Sequence, residues 1–182
     1  MITVVTTNKG KAAEIAAFFA GIADIEAVAL DLVEPQAETL EEISRAKAEQ
    51  AYAKLQRPLI VDDTGLFIEA FNGFPGPYAA YVQKTIGNAG ILSLMQDTAN
   101  RNACFTTVIA YADESGIEVF SGTVAGTIAA SPRGTAGFGY DPIFAVGEKT
   151  LAEMDIAEKN RVSHRARALE VFKAWYISQR NG

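Results

Sequence analysis

The stretch that most constrains this chain is Pro58-Leu59-Ile60-Val61-Asp62-Asp63-Thr64-Gly65-Leu66. A short apolar, β-branched run followed by two carboxylates, a hydroxyl and a glycine reads as a buried strand ending at its polar residues. In α/β proteins ligand-binding groups collect beyond the carboxyl ends of such strands. Successive strand residues point to opposite faces, so Asp62 and Asp63 can share one cleft only where the strand has stopped. One working carboxylate is therefore expected, although a polar turn closing a strand accounts equally well for these residues alone.

The flanking chain sets this strand in context. Ile2-Thr3-Val4-Val5 reads as a first strand, Thr6 to Gly10 as a turn, and Lys11 to about Phe19 as a helix with Ala12, Ile15, Ala16 and Phe19 at helical spacing. Ile25 to Leu30 reads as a second strand and Asp31 to Glu38 as a loop. Thr39 then caps a helix to about Leu55, with Leu40, Ile43, Ala46 and Leu55 inward and Lys47 at the stripe's edge. Beyond the loop Asn72 to Pro77, two short helices cover Ala79 to Gln96. Cys104 to Ala112 and Ile117 to Ile128 form a hairpin. A glycine-rich loop from Ser131 to Pro142 and a last helix from about Ser163 to Gln179 complete the chain. Alternating helices and strands followed by a hairpin predict a mixed α/β sheet in two lobes.

Bulk properties narrow the function classes. At 182 residues, 49% of them hydrophobic, the chain suits one domain with a sizeable core. No apolar run reaches the length of a membrane span, and the N-terminus lacks the plan of a signal peptide. A formal charge of −6 argues against a nucleic-acid binder, yet allows a small anion in a cleft where lysines are concentrated. The single cysteine, Cys104, fits a reducing compartment and reads as a packed strand residue. One histidine and one cysteine leave little room for a zinc site, so any metal should be a hard ion such as magnesium, held by carboxylates.

Four further segments could carry chemistry. Thr6-Thr7-Asn8-Lys9-Gly10-Lys11 is a strand-to-helix turn whose backbone N–H groups and two ammonium groups suit phosphates, though it lacks the glycine spacing of a Walker loop. Ser163-His164-Arg165 opens the last helix, with Ser163 as its cap and Arg165 as an exposed first-turn residue. Lys159, Arg161 and Arg165 gather there against the helix dipole, an arrangement that calls for an anionic or electron-rich ligand. Gly137-Phe138-Gly139-Tyr140-Asp141-Pro142 presents two aromatics to a flat ligand, or else anchors a loop to the core. Glu34, in a loop before Pro35, is a second carboxylate for a metal also touched by Asp63, or simply a solvated acid.

Taken in order, these pieces resemble a known family. Thr6-x-Asn8-x-x-Lys11, Asp62-Asp63-Thr64-Gly65-Leu66, Pro75-Gly76-x-Tyr78, Gly137-Phe138-Gly139-Tyr140-Asp141-Pro142-Ile143-Phe144 and Ser163-His164-Arg165 look like the motifs of the inosine/xanthosine triphosphate pyrophosphatases. The resemblance covers essentially the whole chain. It implies a single two-lobed domain over 1–182 with a nucleotide-binding cleft between the lobes, usually in a cytoplasmic homodimer. It also implies Mg²⁺-dependent hydrolysis of noncanonical purine triphosphates (ITP, dITP, XTP) to the monophosphate and pyrophosphate; the charge and the lack of an apolar span separately predict no nucleic-acid and no membrane partner. By the same resemblance Thr6, Thr7, Asn8, Lys9, Gly10 and Lys11 form the phosphate turn. Glu34 and Asp63 hold the metal, and Asp63 is the general base. Lys47, Thr64 and Lys159 touch substrate, and Phe138, Gly139, Tyr140, Asp141, His164 and Arg165 surround the purine. One departure stands out: Ala79 follows Tyr78 where many members carry Ser, and no basic residue follows at Ala80 or Tyr81.

Other classes fit less of the chain. Asp63-Thr64-Gly65 is similar to the aspartic-protease triplet, but that chemistry needs two such carboxylates and leaves the lysines idle. An aspartyl phosphatase would need its second Asp two positions on, where Gly65 stands. A nucleotide-binding module without hydrolysis would use the same residues and release no pyrophosphate.

Overall fold

The computed structural model describes residues 1–180, residue 180 by its backbone; positions 181 and 182 of the expected domain lie outside the described residues. In chain order the elements are β1 (Ile2–Val5), α1 (Lys9–Phe18), β2 (Ile25–Val28), α2 (Leu40–Leu55), β3 (Leu59–Ile68), β4 (Pro75–Gly76), α3 (Ala79–Thr85) and α4 (Gly87–Leu94). There follow β5 (Asn102–Asp113), β6 (Gly116–Ile128), β7 (Phe144–Val146), β8 (Lys149–Thr150), α5 (Ile156–Val162) and α6 (His164–Arg180). The strands form a mixed sheet in the order β2-β1-β3-β5-β6-β7-β8, with β4 paired to β3. β1 runs parallel to both β2 and β3, whereas β4 and β7 pair antiparallel with β3 and β6. This is the mixed α/β class read from the alternation of elements.

The chain divides into two compact units, and β3, β5 and β6 each pass from one to the other. The first comprises Met1–Asp63, Thr107–Gly122 and the chain from Arg165 on. Its core packs Ile2, Val4, Ile15, Phe19 and Ile60 against Leu169 and Phe172 of α6, while Val5, Leu59 and Val61 meet Ala48 and Ala51 of α2. Each fully buried Ile, Leu or Phe of this kind contributes about 1.5–3 kcal/mol. Thr39 and Glu42 start α2 with a capping box, each accepting from the other's backbone N–H at 3.2 and 3.1 Å. The second unit comprises Thr64–Thr106 and Thr123–His164. Leu66, Ile68, Ile91, Met95, Phe105, Ile143, Phe144 and Leu151 form its core.

Several expectations are corrected. β3 does not stop at its carboxylates but runs to Ile68, because β4 pairs with it at Leu66 and Phe67. Gly65 is thus no turn glycine: a Cβ there would lie 2.8 Å from the Gly76 carbonyl oxygen, so its missing side chain admits the neighbouring strand. The inward face of α1 carries Glu14 beside Ile15, while Ala16 is exposed. On α2, Ser44, Ala48 and Ala51 are buried and Ala46 only partly so. The short helix α5 ahead of α6 had no counterpart in the periodicity. Among the described residues no helix is long and apolar enough to cross a membrane.

Candidate active site

In the first unit, alternation along β3 turns its two carboxylates to different partners. Asp63, nearly buried, accepts from Ser44 Oγ at 2.9 Å and from the Lys47 ammonium. Lys47 also faces Glu34 Oε2 at 3.4 Å, so two carboxylates converge on one positive charge. Burial pulls the Lys47 pKa down, but Asp63, aided by Glu34 and Asp62, outweighs it and the net direction is up. Ser44 and Lys47 lie three residues apart on α2 and so share the helix face that meets Asp63.

Asp62 belongs to a separate buried network. Arg165 Nε donates to Asp62 Oδ2 at 2.7 Å, and Arg165 Nη1 donates to Glu14. Lys11 Nζ donates to the Asp62 carbonyl at 2.9 Å and stands 3.1 Å from Oδ1. Two cations meet two anions, so the quartet is neutral overall. Burial would raise the Asp62 pKa, but Lys11 and Arg165 hold it well below the usual carboxylate range. Arg165 shifts upward: burial opposes its charge, and Asp62 and Glu14 more than compensate. Arg165 is 1% exposed, so the exposed first-turn arginine of the sequence reading is corrected. Glu14 was missed; its only signal is the three-residue spacing from Lys11 on one face of α1.

The phosphate turn also differs in detail from its reading. Asn8 caps α1, its Oδ1 accepting from Gly10 N at 2.9 Å and Lys11 N at 3.1 Å, while Asn8 N donates to Thr6 Oγ1. Two of the helix-start N–H groups are therefore already satisfied, and attraction for an anion rests on the lysines. Thr7 and Lys9 are exposed beside Gly10, and Lys11 keeps 16% of its side chain accessible.

In the second unit the Gly137–Pro142 loop is built around Asp141. Its Oδ2 accepts from Phe138 N at 2.7 Å and from Lys159 Nζ at 2.6 Å. The Lys159 ammonium lies 4.8 Å from the centre of the Phe138 ring, within cation–π range. Gly137 adopts φ +73, and a Cβ there would fall 2.0 Å from Asp141 Oδ2, so only glycine lets this carboxylate close the loop. Tyr140 donates to the Ala79 carbonyl at 2.7 Å, and its burial pushes the phenol pKa up. Gly139 O accepts from Gln83 Nε2 at 3.2 Å and Asn88 Nδ2 at 3.0 Å. His164 is buried with its ring 4.7 Å from that of Phe105. Thr64 is half-buried on β3. Of the positive charge at the start of α6 read as calling for an anion, Lys159 is compensated by Asp141 and Arg165 by Asp62 and Glu14, while Arg161 is exposed in the last turn of α5.

The chain as a whole matches a known lineage. The Ham1 family model matches residues 2–175. The chain belongs to the Ham1 family. Among its Ham1 relatives, the dITP/XTP pyrophosphatase of Hyperthermus butylicus is 49% identical over 96% of this chain and 94% of its own. That of Thermococcus kodakarensis is 46% identical over 96% of each. The solved Ham1 protein of Coxiella burnetii superposes with a TM-score of 0.84 at 32% identity, covering 98% of this chain and all of the other.

Among the described residues no group of three or more His, Cys, Asp or Glu is placed to hold an ion. Glu34 and Asp63 supply two hard oxygen donors, both turned to the Lys47 ammonium. That pair suits magnesium, which commonly binds one or two carboxylates and takes its remaining ligands from substrate phosphates and water.

Proposed function

We propose that this chain is a nucleoside triphosphate pyrophosphatase, hydrolysing dITP, ITP and XTP to the monophosphate and pyrophosphate and so clearing them from the nucleotide pool. The observation that carries the reading is Asp63: a buried carboxylate held by Ser44 and Lys47, with Glu34 on the same ammonium. The names of relatives matched over nearly their whole length support the substrate class. Lys9, Lys11 and Lys47 offset the roughly four negative charges of a triphosphate. Thr6 to Lys11 forms the turn on which those phosphates rest, and Thr64 contacts the substrate beside Asp63. Glu34 and Asp63 would hold Mg²⁺, which when bound polarises phosphate oxygens. Asp63 accepts the proton of the water that attacks phosphorus, and Lys47 holds that carboxylate in place.

The purine is taken by Phe138 to Asp141, Lys159 and His164, while the Arg165 guanidinium is held by Asp62 and Glu14. A 6-carbonyl, as in hypoxanthine and xanthine, suits N–H donors and leaves adenine's amino group unmatched. The chain acts as one two-lobed domain, in the cytoplasm, where the unpaired Cys104 is at home. It pairs as a homodimer, a reading supported by the exposed Phe74, Tyr78, Tyr81, Ile86 and Leu94 within residues 74–94. Asp63→Asn tests the mechanism: the amide keeps the shape but accepts no proton, and turnover of the folded variant should fall about 10²–10⁴-fold, with some loss of stability from leaving Lys47 to Glu34. Activity within about threefold of wild type would remove Asp63 from the chemistry.

A further inference from the structure

The Gly139 carbonyl receives two side-chain N–H donors from two different helices, Gln83 on α3 and Asn88 on α4. The bend between those helices, at Gly87 with φ +60, brings residues five apart onto one acceptor. Both amides accept a cost for this orientation. Gln83 Oε1 and Asn88 Oδ1 are buried without a hydrogen-bond partner among the described residues. Turned over, each amide would set its own oxygen against the Gly139 oxygen, so the carbonyl dictates the arrangement. A buried oxygen left without a donor is unfavourable, which makes two of them on one loop a feature to be explained.

The peptide plane supplies the explanation. In a trans peptide the C=O of Gly139 and the N–H of Tyr140 point in opposite directions. Holding the carbonyl toward α3 and α4 therefore aims the Tyr140 N–H the other way. The same short loop carries the Phe138 ring against Lys159, and the Tyr140 hydroxyl donates to the Ala79 carbonyl. We propose that Gln83 and Asn88 are positioning residues for base selection: by clamping the Gly139 carbonyl they fix the loop that reads the purine, without touching it themselves. This rests on the reading of Phe138 to Asp141 as the base-binding loop.

The test uses Gln83→Met, Asn88→Leu and the double variant, which keep approximate shape and remove the donors together with the unpartnered oxygens. Three quantities are measured: kcat/KM for ITP and for ATP, inhibition by inorganic tripolyphosphate, and the melting midpoint. Tripolyphosphate has no base and reports the phosphate end alone. In the double variant the ITP-to-ATP ratio of kcat/KM should fall about five- to tenfold or more, the equivalent of one or two neutral hydrogen bonds, with tripolyphosphate inhibition held within about twofold. A ratio held within about twofold overturns the proposal, as does a parallel weakening of tripolyphosphate inhibition. The single variants decide the matter at smaller amplitude should the double variant not fold. Phe138→Ala separates the two levels. If it shifts the ratio while the double variant does not, the base-loop reading stands and the clamp falls. If Phe138→Ala leaves the ratio unchanged, the reading fails and the clamp with it.

Discussion

Asp62 and Asp63 are adjacent in sequence and do different work, because a strand sends neighbours to opposite faces. Asp63 meets one ammonium and a hydroxyl, whereas Asp62 neutralises Lys11 and Arg165 in a buried quartet. Removing one member of a buried pair leaves an uncompensated charge, so Arg165→Ala should cost about 3–5 kcal/mol of stability as well as activity. Denaturant titration checks this, and a midpoint equal to wild type would show that Arg165 is solvated after all. Asp62 also sets an acid limit. Its folded pKa lies below its unfolded one, so its contribution is complete above about pH 4 and is lost as pH falls further. Melting curves recorded downward from neutrality should therefore drop below about pH 4. An Asp62→Asn variant should show a shallower fall, and an identical acid limb would contradict the assignment.

At the scale of elements, legibility followed local chemistry. α2 was readable from its Thr39 cap because Thr39 and Glu42 form a capping box, although Ser44, Ala48 and Ala51, and not Ala46, fill its inward face beside Leu40 and Ile43. Thr39→Ala should cost about 1 kcal/mol by removing the acceptor for the Glu42 N–H. A change below about 0.3 kcal/mol in denaturant unfolding would mean the cap is redundant. β3 was readable only in its first half. Its continuation through Thr64 and Gly65 depends on β4, a two-residue strand whose pairing no local pattern announces. The same limit applied to the site: Lys11, Lys47 and Asp63 carry chemistry in their residue types, but Glu14, Ser44, Gln83 and Asn88 acquire roles only through partners distant in sequence. Periodicity can place such residues on an inward face and says nothing of what they meet.

At the scale of the molecule, each unit has its own core and its own cluster of buried charge. Lys11, Lys47 and Lys159 all sit on carboxylates, so these three lysines are not a loose positive patch awaiting any anion. On the proposed function, a triphosphate would compete with Asp62 and Asp63 for Lys11 and Lys47, which favours a ligand arriving with its own cation. The central claim is best tested by product analysis. XTP, dITP and ITP are each incubated with Mg²⁺ beside ATP, and the products are separated as monophosphate, diphosphate, pyrophosphate and phosphate. Monophosphate and pyrophosphate are expected in equal amounts from the first three, with ATP disfavoured by on the order of 10⁴ in kcat/KM. Release of inorganic phosphate with nucleoside diphosphate, or binding without any pyrophosphate, would contradict it.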